Sequence, residues 1–268
     1  MKHFNMTYLR LPTLIVLFLM VVCFVWTFAF APFPETINSL ILNGGTTLAA
    51  LIAALIFTRI PYFFSRAEPP RVIWTYFAVC MWLWTVAEAI WGYLYMRDGE
   101  VPVFSVADTF WLLGYFALTV SLGRQFRLIF FSKTNMVIWA TIGIWLGVLG
   151  GIAVILLIIQ SQTPLADFFA YFYLLADAVV GLLAVYIVYA FRGRALAIPW
   201  LMISSFVLSD FMYIRLTESG MYDYVMSGVS VALLADTLYV IAYLLVAWGG
   251  LEQYLLLWSS ADHSQAER

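Results

Sequence analysis

Eight apolar runs, each near the ~20 residues that carry an α-helix across a bilayer, divide this chain from end to end. They are Leu11–Ala31, Asn38–Phe57, Val72–Tyr95, Phe104–Leu122, Met136–Ile159, Asp167–Phe191, Ala197–Leu216 and Gly228–Gly249. In hydrocarbon a spanning segment must satisfy its own backbone polar groups, so runs of this length are read as helices. Composition agrees. Hydrophobic residues make up 65% and charged residues 10%, with a mean hydropathy of +0.96, whereas a soluble domain is about half apolar and a quarter charged. The expected fold is an all-α polytopic integral membrane protein of eight transmembrane helices. The first run imitates a signal peptide, with Lys2 and Arg10 ahead of it and Ala29-Phe30-Ala31 at its end. It exceeds the roughly 7–15 residues of a signal core and meets Pro32 at once, so it reads as a retained helix. Pro12, Pro164 and Pro199 fall near helix starts, where a missing N–H costs least.

Basic residues set the expected orientation. Lys2, Arg10, Arg59, Arg66, Arg71, Arg124, Arg127, Lys133, Arg192, Arg194 and Arg268 all fall on one side, 11 of the 13 in the chain. Only Arg97 and Arg215 fall on the other, among Glu35, Asp98, Glu100, Glu218 and Asp223. Both termini are therefore expected on the cytoplasmic side.

The chain also repeats itself. Ala235-Asp236 to Tyr243 matches Ala107-Asp108 to Tyr115 at an offset of 128, and Leu208-Ser-Asp210 corresponds to Val86-Ala-Glu88. Four spans in each half would put the halves in the same orientation, giving two tandem (parallel) four-helix repeats. The expected organisation is a first repeat over 1–132, a second over 133–258 and a short cytoplasmic tail over 259–268. In the fifth run, Gly143, Gly147 and Gly151 form two GxxxG steps, for which helix packing within the chain is preferred to a homodimer seam.

Carboxylates inside such segments are costly and mark sites by default. Glu88, Asp108, Asp177, Asp210 and Asp236 all fall in the expected outer half of the membrane or at its middle. Asp108 stands three residues after Ser105, a capping-box spacing, but the matching position in the second half is Leu233, so capping does not account for both. An outward-facing polar cavity between the halves is the simplest expectation. Trp91, Tyr115, Tyr243 and Arg215 are its candidate partners, with Trp84, Tyr95 and Tyr213 also nearby in sequence. Trp82, Trp84 and Trp91 lie on the same run as Glu88; they fit either a ligand pocket or, preferably, the interfacial belt and packing.

Several chemistries have no residues to support them. Cys23 and Cys80 sit inside apolar runs as small hydrophobes. His3 and His263 are terminal, and Lys2 and Lys133 lie outside the runs. Neither a histidine-held metal or haem nor a retinal Schiff base is expected, and no other cofactor is. No basic patch suits nucleic acid. No nucleophile motif, phosphate loop or metal-ligand spacing appears, so an enzyme is not expected.

The segment from Ala87 to Tyr115 resembles a prokaryotic polytopic membrane-sensor module. The shared pattern is AE-x-x-W, then P-x-x-S-x-AD, then LLGY. Here it stands as Ala87, Glu88 and Trp91; Pro102, Ser105, Ala107 and Asp108; and Leu112 to Tyr115. Modules of this type stand N-terminal to diguanylate cyclase, phosphodiesterase or histidine kinase domains. The resemblance implies a sensor in the prokaryotic inner membrane. The nineteen residues after Gly249 hold no output domain, so the expectation is a stand-alone sensory or ligand-binding module. It would signal through a separate protein partner in the membrane or at its cytoplasmic face. The five acids would bind a cation, a proton or a small amine-bearing ligand. A non-catalytic accessory subunit of a larger membrane complex is the second expectation, and a small-solute or ion transporter the third.

Overall fold

A computed structural model describes residues 7–99, 104–130, 143, 146–147, 150–152, 154–155, 163–192, 194–218, 221 and 230–266. Among these the regular structure is helical. The long helices are α1 (Thr7–Phe30), α2 (Glu35–Arg59), α3 (Pro69–Asp98), α4 (Val106–Phe130), α5 (Pro164–Ala190), α6 (Ile198–Glu218) and α7 (Val231–Ala266), with single 3-10 turns at Ile60–Phe63 and Ala195–Ala197. Six of them, all but α6, are long and apolar enough to cross a membrane. At 21 residues α6 has the length, about 31 Å, but Ser204, Ser205, Ser209, Asp210 and Arg215 lower its hydropathy. The fifth predicted span lies for the most part outside the described residues. At Gly143, Gly147 and Gly151 an added Cβ would meet nothing within 4 Å among the described residues.

Local chemistry explains the helix ends. Pro69 and Pro70 open α3 and Pro164 opens α5, each at a position whose N–H has no intrahelical partner. Pro12 departs from expectation because α1 starts at Thr7, upstream of the first apolar residue. The proline therefore lies inside the helix and leaves the carbonyl four residues earlier without its helical donor. Gly99 ends α3 in the left-handed conformation, φ +78°, its N–H returning to the Tyr95 carbonyl at 2.9 Å. The α1–α2 turn is clamped by Asn38, whose amide donates to the Phe33 carbonyl at 2.6 Å and accepts from its N–H at 3.3 Å.

Six helices close a ring. Each packs on the next from α2 to α7, α7 packs back on α2, and α1 lies outside against α2 and α7. Small residues allow the close approach: Ala49, Ala50, Ala53 and Ala54 of α2 are all fully buried. The middle of the ring is filled from opposite sides by α3 and α6. Trp74 stacks on Trp200 at 5.2 Å, and Trp84 meets Phe206 at 5.1 Å between ring centroids. Trp84 fits only because α4 offers Gly114 beneath it: a Cβ there would fall 2.3 Å from the indole.

Gly114→Ala is therefore expected to lower stability by about 1–3 kcal/mol through overpacking. Gly44→Ala, where a Cβ meets nothing within 4 Å, should be near neutral or better. Thermal unfolding of the two variants in the same detergent checks the contrast.

A layer of carboxyl and tyrosine groups across the ring

Each of five helices presents an aromatic residue and, four positions on, a polar one. The pairs are Trp84 and Glu88 on α3, Trp111 and Tyr115 on α4, Tyr173 and Asp177 on α5, Phe206 and Asp210 on α6, and Tyr239 and Tyr243 on α7. Residues four apart share a helix face, and the ring turns these faces towards one another.

The acids meet phenols from other helices. Tyr243 of α7 donates to Oε1 of Glu88 on α3 at 2.7 Å. Tyr115 of α4 lies between two acids, with its hydroxyl 2.6 Å from Oδ1 of Asp177 and 2.9 Å from Oδ2 of Asp210. Tyr173 of α5 donates to Oδ1 of Asp108 at 2.8 Å. Trp111 and Tyr239 turn polar edges towards Glu88. Glu88, Asp108 and Asp177 are buried and Asp210 is partly so. Aromatic rings wall the layer: Trp84 touches Tyr115 at 5.4 Å, and Phe206 touches Tyr243 at 4.5 Å. Among the described residues, the contacts of Glu88, Asp177 and Asp210 include no arginine or lysine. Neutral donors take the place of counter-ions.

Asp108 has a second duty. Its Oδ2 accepts from the N–H of Ser105 at 2.8 Å and from its hydroxyl at 3.0 Å, so the capping box forms and Oδ1 is left for Tyr173. Asp236 differs because α7 begins earlier relative to the matched sequence. Ser230 caps α7 by accepting from the Leu233 N–H at 3.1 Å, which leaves Asp236 inside the helix. Asp236 is partly buried and, with Glu35, lies near Tyr95.

The other expected partners lie apart. Trp91 stacks on Tyr95 at 5.5 Å. Trp82 is outward-facing and donates to Thr58 of α2 at 2.9 Å, so Trp82, Trp84 and Trp91 line no common pocket. Arg215 is exposed on α6. A groove between α2 and α3, lined by Leu40, Asn43, Leu48, Gly92, Tyr93 and Met96, is mostly apolar and touches none of the acids. No three His, Cys, Asp or Glu side chains among the described residues come together to hold a metal.

Residues not singled out from the sequence complete the layer. Tyr173, Tyr239 and Trp111 were legible only as the earlier member of each four-residue step. Glu252 was missed because it follows the expected end of the last span. That helix runs on to Ala266, and the buried Glu252 accepts from Arg10 of α1 at 2.7 Å.

The chain matches no family model, no curated protein and no solved structure with which it was compared.

Tyr115→Phe takes from Asp177 and Asp210 the phenol that, among the described residues, hydrogen-bonds to both, whereas Tyr243→Phe leaves Glu88 with Trp111 and Tyr239 nearby. Hydrogen bonds in membranes contribute about 0.6–2 kcal/mol each. The Tyr115 variant is thus expected to unfold about 1–2 kcal/mol more easily than the Tyr243 variant, measured by unfolding in lipid–detergent mixtures.

Proposed function

We propose that this chain is a stand-alone membrane sensory or ligand-binding module, non-catalytic itself, which signals through a separate cytoplasmic partner. It sits in a prokaryotic inner membrane with eight crossings in two parallel four-helix halves and both termini inside. The observation that carries the reading is reciprocity. Tyr243 of the second half bonds Glu88 of the first, and Tyr115 of the first bonds Asp210 of the second. Tyr115 and Tyr243 are matched positions in the two halves, as are Glu88 and Asp210, so this is the exchange expected of a two-fold related pair. The packing order supports the same view: α2 with α3, α3 with α4 and α4 with α5 parallel α5 with α6, α6 with α7 and α7 with α2.

In such an arrangement the acids report on how the halves sit together. A ligand or proton that alters one carboxyl changes a bond between halves. The 36-residue α7 carries Tyr243 and continues past it as one helix to Ala266, which offers a route for that change to the cytoplasmic side. The second reading, an accessory subunit of a larger complex, draws support from the direct closure of Glu88 and Asp177 by phenols, as in structural glue. A transporter has less support, since no helix of the layer is broken at the acids.

Glu88→Gln and Asp236→Asn are expected to change partner recruitment or signalling while the folded protein is retained. Mild-detergent capture of the full chain, with mass spectrometry of proteins and small molecules, is the assay. If the two variants shift only the melting temperature, or if membrane subunits bearing pigments or redox centres co-purify in fixed ratio, the accessory reading stands instead. Orientation has its own check. With Cys23 and Cys80 replaced by alanine, Arg66→Cys should react with an impermeant thiol reagent only from the cytoplasmic side and Asp98→Cys only from the outside.

A further inference from the structure

Hydrogen counting at Tyr115 leaves the layer one proton short. A phenol carries one hydrogen and can donate it to one acceptor. Its oxygen nevertheless lies within hydrogen-bond distance of two carboxyl oxygens, on Asp177 and on Asp210. If both acids were ionised, one contact would be a hydrogen bond. The other would set a phenol oxygen against a carboxylate oxygen at under 3 Å, with no hydrogen between them. Both contacts are bonds only when one carboxyl carries a proton and donates it to the phenol.

A second observation points the same way. Asp177 is 3% exposed, and its buried Oδ2 has no hydrogen-bond partner among the described residues. An ionised carboxylate oxygen left in that state is costly, whereas with the hydrogen on Oδ1 the Oδ2 atom is the carbonyl oxygen of a neutral acid and demands far less. We infer that Asp177 and Asp210 together bind one exchangeable proton, shared through the hydroxyl of Tyr115, and that this proton holds α5 against α4 and α6. The inference deepens the ligand-binding reading above by naming the ligand of that site.

The surroundings suit a proton rather than a metal cation. Among the described residues, the titratable groups facing the pair are Glu88 from α3, Tyr115 from α4, Tyr173 from α5, and Tyr239 and Tyr243 from α7. All are acids or phenols. A metal ion would ask for several oxygens at about 2.0–2.6 Å, and most of these oxygens are already engaged by one another. Release of the proton leaves Tyr115 able to serve only one acid, so the other turns away and the contact between its helix and α4 loosens.

Infrared spectroscopy of the full chain reconstituted in lipid, with no partner present, tests the inference. At neutral pH the wild type should show a protonated-carboxyl C=O band that moves in D2O and fades on alkaline titration. Asp177→Asn and Asp210→Asn should each remove it, and Glu88→Gln should leave it. Tyr115→Phe keeps both acids and should shift the band, which covers the case in which an Asn variant fails to fold. No such band in the folded wild type, a band that survives both Asn variants, or one unmoved by Tyr115→Phe would overturn the inference, as would a band lost on adding sodium at constant pH. The band is read with no partner present, so a failed capture would leave it untouched, while a missing band beside a capture altered by Glu88→Gln would overturn the proton assignment alone.

Discussion

A carboxyl group taken into a water-excluded helix bundle must find a donor within reach of its own helix or from a neighbour. The acid layer answers this with phenols and indoles instead of arginine and lysine. A tyrosine brings a ring that packs as a hydrophobe and a hydroxyl that satisfies the acid, so one side chain fills the ring interior and neutralises a polar demand. An arginine would satisfy the acid as well, but would bring a second charge into the same low-dielectric space. Other contacts follow from this choice. Trp84 and Phe206 meet at the centre and wall the two tyrosines, and Gly114 makes room for the indole.

The layer also explains why the six-helix ring is closed. Tyr243–Glu88 joins α7 to α3, and Tyr115 joins α4 to both α5 and α6. Each bond links helices far apart in sequence, so the polar groups fix which neighbours meet in a bundle whose apolar faces have little driving force to choose between partners in lipid. At the other end of the bundle an ion pair, Arg10 with Glu252, ties the outlying α1 to α7.

The candidate site was legible in part. Glu88, Asp108 and Asp177 stood out because acids are rare in such runs, and they are buried as that rarity suggests. Tyr115 and Tyr243 stood out from matched sequence, and each hydrogen-bonds to acids on other helices. Asp236 shared the same match but a different fate, because α7 starts nearly a turn earlier and turns it towards Tyr95. Trp82 and Trp91 were drawn to Glu88 by sequence proximity alone. Helical periodicity separates Trp82 from it, about 120° around the helix at 100° per residue, whereas Trp91 shares the face of Glu88 but stacks on Tyr95.

The sequence by itself determined the helices, their lengths and the presence of acids within them. Hydropathy and proline and glycine placement are local properties, and the demand for internal backbone bonding in lipid converts them directly into helices. What only the tertiary structure decided is the pairing of phenol with acid. A four-residue spacing says which side chains share a face, but not which face a neighbouring helix will present to it. That is set by the closing of the ring, through the sum of many close packings such as Gly114 under Trp84 and Gly250 against Phe57, none of which has a signature in the linear chain.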